Sequence, residues 1–312
     1  MLRRLSHFFL LLGLLLFATP DAALAQSRTS SKSTSKKSTA TRKSTSGTKK
    51  STPQRARPKP TPGLAPATFN GLPVTTIGSV LMFDPATGRT LFEKNADERR
   101  PPASTQKLLT ALILVETGNL DKRVVIQHSD TLAEPSKLYL KTGESYTRRE
   151  LLEVLLVRSF NDVAMALARD NAGSIKAFAA KMNRRAAALG MTQSHFVNPN
   201  GLPAPGQLST ARDMARLASV VYRNPTIRRI CATKEIQFKR ADGRIRTYNN
   251  TNRVLRGWPY CTGLKTGYTH SAGYCLISSA SRDGREVVVV GLGNKTPIWQ
   301  ESCSLLAWGL SH

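Results

Sequence analysis

The chain has 312 residues, 46 Lys and Arg against 20 Asp and Glu, and a formal net charge of +26. Charge of this sign points to an anionic partner, whereas four cysteines without a C-x-x-C pair and five scattered histidines argue against a metal site. Beyond the N-terminal apolar run, no segment is long and apolar enough to cross a bilayer.

Arg3 and Arg4 precede an apolar stretch from Phe8 to Ala18, and Ala23-Leu24-Ala25 follows. A basic start, a short apolar middle and an A-x-A end read as a secretory signal peptide, residues 1–25. Residues 26–67 are dominated by Ser, Thr, Lys, Arg, Pro and Ala, with eleven basic residues and no acid. Such a segment buries too little apolar surface to offset chain entropy, so disorder is expected, with an extended spacer over Pro53 to Pro66. Two readings stand: a linker with no role of its own, or an electrostatic tether to an anionic envelope polymer or membrane surface. Nucleic acid does not fit an exported chain. Beyond Ala67 there remain 33 basic and 19 acidic residues, so the excess charge is not confined to the tail. The chain is expected in the periplasm or cell envelope.

Residues 68–312 are long enough for one large domain or two interleaved lobes. Gly78 to Phe83 reads as a strand, 84–88 as a turn, and Thr90 to Phe92 as the returning strand. Pro101-Pro102 stops the chain, and Ser104 to Glu116 has helical composition closed by Gly118. Arg149 to Asp170 is a helical pattern broken near Ser159. Ser174 to Leu189 and Thr210 to Tyr222 are helical, with a turn cluster at 198–203 between them. Cys261 to Lys265, Gly273 to Ser279 and Glu286 to Leu292 read as strands, and Ile298 to Leu310 as a closing helix. Strands at both ends with helices between them imply an α+β fold, one sheet drawn from both ends and carrying an inserted helical subdomain. Cys231, Cys261, Cys275 and Cys303 crowd the C-terminal third. A bridge between Cys261 and Cys275 across neighbouring strands and free buried cysteines are both compatible with the spacing.

Three short motifs stand out: Ser104-Thr-Gln-Lys107, Ser159-Phe-Asn161 and Lys265-Thr-Gly267. Ser104 and Lys107 share one face at a helix start, where the dipole favours a developing alkoxide and disfavours an ammonium. A free lysine is a poor base at neutral pH, but burial and a neighbouring cation lower its pKa and make it one. Ser159 and Asn161 interrupt an apolar run, a placement that costs free energy unless the groups have partners. Ser159 can relay a proton, and the Asn161 amide can bind a lysine and a peptide carbonyl together. Lys265 and Thr266 can hold a terminal carboxylate, and Gly267 lets backbone approach closely. The chain also contains decoys. Ser33-Thr-Ser-Lys36 and Ser46-Gly-Thr-Lys49 lie in the tail, and Lys141-Thr-Gly143 reads as a loop.

Pro102-Ala-Ser-Thr-Gln-Lys107, Ser159-Phe-Asn-Asp162, His195-Phe-Val-Asn-Pro-Asn-Gly-Leu202 and Thr262-Gly-Leu-Lys-Thr-Gly-Tyr-Thr269 resemble the D-alanyl-D-alanine carboxypeptidases, the low-molecular-mass penicillin-binding proteins. The resemblance covers about Gly71 to Leu310. It implies the penicillin-binding protein and β-lactamase-like fold, an antiparallel sheet flanked by helices, with the site at their junction. It implies Ser104 as acyl-enzyme nucleophile, Lys107 as its base and Ser159 as proton relay. Asn161, Lys265, Thr266, Gly267 and Tyr268 would bind substrate, with the backbone N–H groups of Ser104 and Tyr268 as oxyanion hole. The implied substrates are peptidoglycan stem peptides, the implied covalent inhibitors β-lactams, and no metal or other cofactor is implied. Cleavage of peptidoglycan cross-links by a D,D-endopeptidase is the alternative; a β-lactamase or an inert envelope-binding protein fits the motifs less well. Two departures stand out: Phe160 in the second motif, and Tyr268 where relatives often carry His. Many relatives continue into a further domain and an anchor; here a closing helix ends near His312, so the basic tail is expected to provide any attachment to the envelope.

Overall fold

The computed structural model describes residues 66–312, so the expected signal peptide, the basic segment up to residue 65 and the two S-x-x-K decoys lie outside the described residues. Five strands form one antiparallel sheet: β1 (Ser79–Phe83), β2 (Thr90–Lys94), β3 (Cys261–Thr269), β4 (Gly273–Arg282) and β5 (Arg285–Asn294), in the order β2-β1-β5-β4-β3. The N-terminal hairpin β1–β2 therefore completes a sheet begun by the last three strands, with Val290 of β5 opposite Leu81 of β1. Both ends of the described chain build one sheet, as expected.

The run Val287 to Val290 in β5 is buried throughout. A strand apolar on both faces must be covered on both. Val288 and Val290 join the large core beneath the helical lobe, while Val287 and Val289 join a second core under α8 (Trp299–Gly309). α8 lies close: a Cβ at Gly309 would sit 2.6 Å from Met82 Sδ.

The helical lobe is inserted between β2 and β3. Its elements are α1 (Lys107–Thr117), α2 (Arg148–Arg158), α3 (Asn161–Ala172), α4 (Ile175–Ala188), α5 (Ala211–Arg223) and α6 (Pro225–Cys231), followed by α7 (Arg253–Gly257) just before β3. The Leu108–Leu114 segment of α1 is buried on every side, the signature of a central helix. α2 opens on a capping box, Thr147 with Glu150, and ends at Ser159 in the left-handed region at φ 72°. That terminus turns the chain sharply and separates α2 from α3, as the interruption near Ser159 predicts.

Elements that the sequence pattern does not reveal include α6, α7, a hairpin pairing Glu235–Lys239 with Ile245–Asn249, and the short strand pair Arg123–Val125 with Ser145–Thr147. The sequence reading also ends the third motif's strand too early. β3 continues through Lys265-Thr-Gly267 to Thr269, because each of those residues pairs across to β4, Gly267 opposite Cys275 and Thr266 opposite Leu276. β3 is one edge strand of the sheet, β2 the other.

Candidate active site

Ala103–Gln106 forms a 3₁₀ turn that runs directly into α1 at Lys107. In a 3₁₀ turn, residues i and i+3 eclipse. The Ser104 side chain therefore stacks over that of Lys107, and the Lys107 Nζ to Ser104 Oγ distance is 2.7 Å.

Lys107 is fully buried. Its Nζ also lies 2.8 Å from Asn161 Oδ1 and 2.6 Å from the Asn200 carbonyl oxygen. Asn161 opens α3, and its Nδ2 donates to Pro135 O at 2.5 Å, which turns Oδ1 toward the lysine. Burial first, and the charge of Lys265 second, hold the Lys107 amine well below its ordinary pKa. A neutral amine carries two hydrogens and one lone pair. Asn161 Oδ1 and Asn200 O can take the two hydrogens, leaving the lone pair directed at the Ser104 hydroxyl.

Ser104 is enclosed by two glycines. A Cβ at Gly267 would lie 2.9 Å from Ser104 N, so the edge strand can rest against the 3₁₀ turn only without a side chain there. A Cβ at Gly201 would lie 2.1 Å from Ala103 O, and Gly201 has φ +83°. Lys265, on the buried face of β3, donates to Thr266 O at 3.0 Å, and burial lowers its pKa to about 7. Thr266 Oγ1 and Thr251 Oγ1 are hydrogen-bonded at 2.6 Å. Tyr268 is 56% exposed and packs on Tyr274 with ring centroids 4.6 Å apart.

Ser104, Ser159, Asn161, Thr266, Gly267 and Tyr268 line one cleft of about 690 Å³. The three motifs thus meet at the junction of sheet and helical lobe. Ser159 Oγ is buried and has no hydrogen-bond partner among the described residues. It makes no bond to Lys107; Asn161 and the Asn200 carbonyl occupy that role instead. Lys141-Thr-Gly143 is an exposed turn away from the cleft lining, with Gly143 at φ +88°.

The sequence reading did not find Asn200, Gly201 or Thr251. The Asn198-Pro-Asn-Gly-Leu-Pro203 cluster signalled a turn, but its approach to Ser104 comes from tertiary packing. The cross-strand bridge between Cys261 and Cys275 does not form: Cys261 lies opposite Ala280, Cys275 lies opposite Gly267, and all four cysteines are free. Among the described residues, no group of three or more His, Cys, Asp or Glu is placed to hold a metal ion.

The sequence pattern of the D-alanyl-D-alanine carboxypeptidase family, peptidase S11, matches residues 70–296. The chain is 34% identical over 225 residues to the D-alanyl-D-alanine carboxypeptidase DacF of Bacillus subtilis, an alignment covering 70% of this chain but 58% of DacF. It is 35% identical over 239 residues to DacB2 of Mycobacterium tuberculosis, covering 74% of this chain and 81% of DacB2. A crystal structure of a D-alanyl-D-alanine carboxypeptidase from M. tuberculosis superposes with a TM-score of 0.75 at 32% identity, covering 80% of this chain and 96% of that one. With all four motif blocks inside the matched residues, the chain belongs to the D-alanyl-D-alanine carboxypeptidase family.

Proposed function

We propose that the chain is a serine-type D-Ala-D-Ala carboxypeptidase acting on peptidoglycan stem peptides through an acyl-enzyme, with the roles assigned as follows. The supporting observation is a fully buried Lys107 amine, held below its usual pKa, 2.7 Å from Ser104 Oγ.

Ser104 Oγ attacks the carbonyl carbon of the penultimate D-Ala while its proton passes to Lys107 Nζ. The oxyanion is received by the backbone N–H groups of Ser104 and Tyr268, a contribution for which losing one donor costs about 3 to 4 kcal/mol. As the C–N bond breaks, the proton held on Lys107 reaches the leaving amine, and the Ser159 hydroxyl, without a hydrogen-bond partner among the described residues, is the group to carry it. The terminal D-Ala leaves. A water then adds to the Ser104 ester with Lys107 again as base, which releases the shortened peptide and restores the serine. Lys265 and Thr266 hold the terminal carboxylate. Asn161 orients Lys107 and contacts the substrate amide. The peptide lies along the free edge of β3 as an added strand.

β-Lactams would acylate the same serine. The experiment is incubation of the full protein with labelled penicillin and, separately, with an acylated D-Ala-D-Ala peptide. Covalent label on Ser104, D-Ala release, and loss of both in Ser104→Ala are the expected results. An unlabelled serine with no D-Ala release overturns the reading. Export to the periplasm rests on the Arg3-to-Ala25 pattern, and attachment of the tail to an anionic envelope surface rests on its eleven basic residues.

A further inference from the structure

Three arginines line the active-site cleft: Arg158, Arg253 and Arg256. None of the cleft-lining residues is Asp or Glu. Other arginines do meet carboxylates, Arg148 with Asp170, Arg169 with Asp130, Arg185 with Glu116 and Arg212 with Asp97 among them. Among the described residues, the three cleft arginines are exposed and meet no carboxylate within ion-pair distance. Arg253 and Arg256 are three apart on α7 and so share a face. The Arg253 guanidinium lies over the Trp299 ring, 5.9 Å from its centroid, which limits the freedom it would lose on binding.

The position of this wall relative to the scissile bond follows from two hydrogen bonds. Thr266, assigned to the terminal carboxylate, is bonded to Thr251 at 2.6 Å, two residues before Arg253. Thr251 N in turn donates to Val157 O at 3.0 Å, next to Arg158. The segments carrying Arg158 and Arg253 therefore meet at the lip beside Thr266, on the side of the leaving residue. A terminal D-Ala brings one carboxylate there, and Lys265 with Thr266 already receives it.

We propose that Arg158, Arg253 and Arg256 form a second anion site on the leaving-group side, selecting leaving residues with a side-chain carboxylate in addition to the α-carboxylate. The inference rests on the peptidase reading above. It gives that site a preference for acid-bearing leaving groups, of the kind a second stem peptide would bring to a cross-link, over simple D-Ala. Arginine suits this role through its fork of donors to carboxylate oxygens.

The test uses three substrates with one acyl part ending in D-Ala, joined to D-Ala, D-Glu or D-Gln as leaving residue. D-Glu and D-Gln have nearly the same shape and differ in one charge. For the wild type, kcat/KM for D-Glu should exceed that for D-Gln by about tenfold, equivalent to ~1.4 kcal/mol, and the ratio should shrink with added salt. In the Arg253→Gln/Arg256→Gln double variant the ratio should approach one, and in Arg253→Lys/Arg256→Lys it should largely return. Because the ratio is taken within one preparation, partial loss of folded protein does not alter it. Release of D-Ala alone, a ratio near one in the wild type, or a ratio unmoved in the glutamine variant overturns the anion site and leaves the peptidase reading intact. Release from none of the three overturns the peptidase reading and the proposal with it.

Discussion

Gly201→Ala isolates the packing that positions Ser104, the proposed nucleophile. The added methyl would lie 2.1 Å from Ala103 O and 2.8 Å from Ser104 N. Carbon and oxygen atoms in contact sit roughly 3.5 Å apart, so more than an ångström of relief is required. Both neighbours are backbone, and no side-chain rotamer can supply it. The 3₁₀ turn carrying Ser104 must shift, and a misplacement of about 1 Å at a reacting group typically costs on the order of 100-fold in rate. The left-handed φ of +83° adds about 1 to 2 kcal/mol of strain. Gly143→Ala is the matched control: φ is +88°, but nothing lies within 4 Å of the new methyl. It carries the same backbone strain without the clash, and it sits in the second K-T-G. Penicillin acylation by stopped-flow, with thermal melting alongside, separates the two effects. Both variants should melt a few degrees lower. Acylation should fall about 100-fold or more in Gly201→Ala and stay within twofold of wild type in Gly143→Ala. Equal acylation rates in the two variants would refute the claim that Gly201 packing sets the serine.

Ser159→Ala removes a hydroxyl that has no hydrogen-bond partner among the described residues, so its melting temperature should hold or rise slightly. Acylation should nonetheless fall by about 10²- to 10⁴-fold if the hydroxyl carries a proton; unchanged acylation would remove it from the mechanism. Lys265 gives a pH signature. Burial lowers its pKa to about 7, so the free protein loses the ammonium proposed to hold the terminal carboxylate as pH rises through 7, and kcat/KM for a D-Ala-D-Ala peptide should fall above that point. A bound carboxylate raises the pKa again, so kcat should stay flat to higher pH; parallel limbs in both parameters would count against this assignment. The same lysine affects stability. In the unfolded chain it stays protonated to about pH 10.4, so the cost of burying it is complete below pH 7 and shrinks between 7 and 10.4. Lys265→Met should therefore raise the melting temperature at pH 7 more than at pH 10.

How much of this site the sequence could reveal depends on the distance along the chain over which each contact acts. Ser104 and Lys107 are three residues apart, so their meeting is a property of one helical turn, and the spelling after Pro101-Pro102 predicts it. The break at Ser159 is likewise local, because α2 must end where a left-handed residue turns the chain. The sheet was legible for a related reason: strand-like runs at both ends of the folded part, with helices between them, imply one sheet drawn from both. Asn200 is different. Its carbonyl reaches Lys107 across 93 positions, and nothing in Asn198-Pro-Asn-Gly201 as a turn says which element it will touch. Gly201 and Thr251 are hidden in the same way, since a close approach or a threonine pair leaves no periodic trace. Arg158, Arg253 and Arg256 are the extreme case. In a chain of 46 basic residues, three more arginines carry no signal until the fold places them in a cleft without acids. The chemistry of the serine is thus written in local spacing, whereas the choice of what leaves it is made by residues that only tertiary structure brings together.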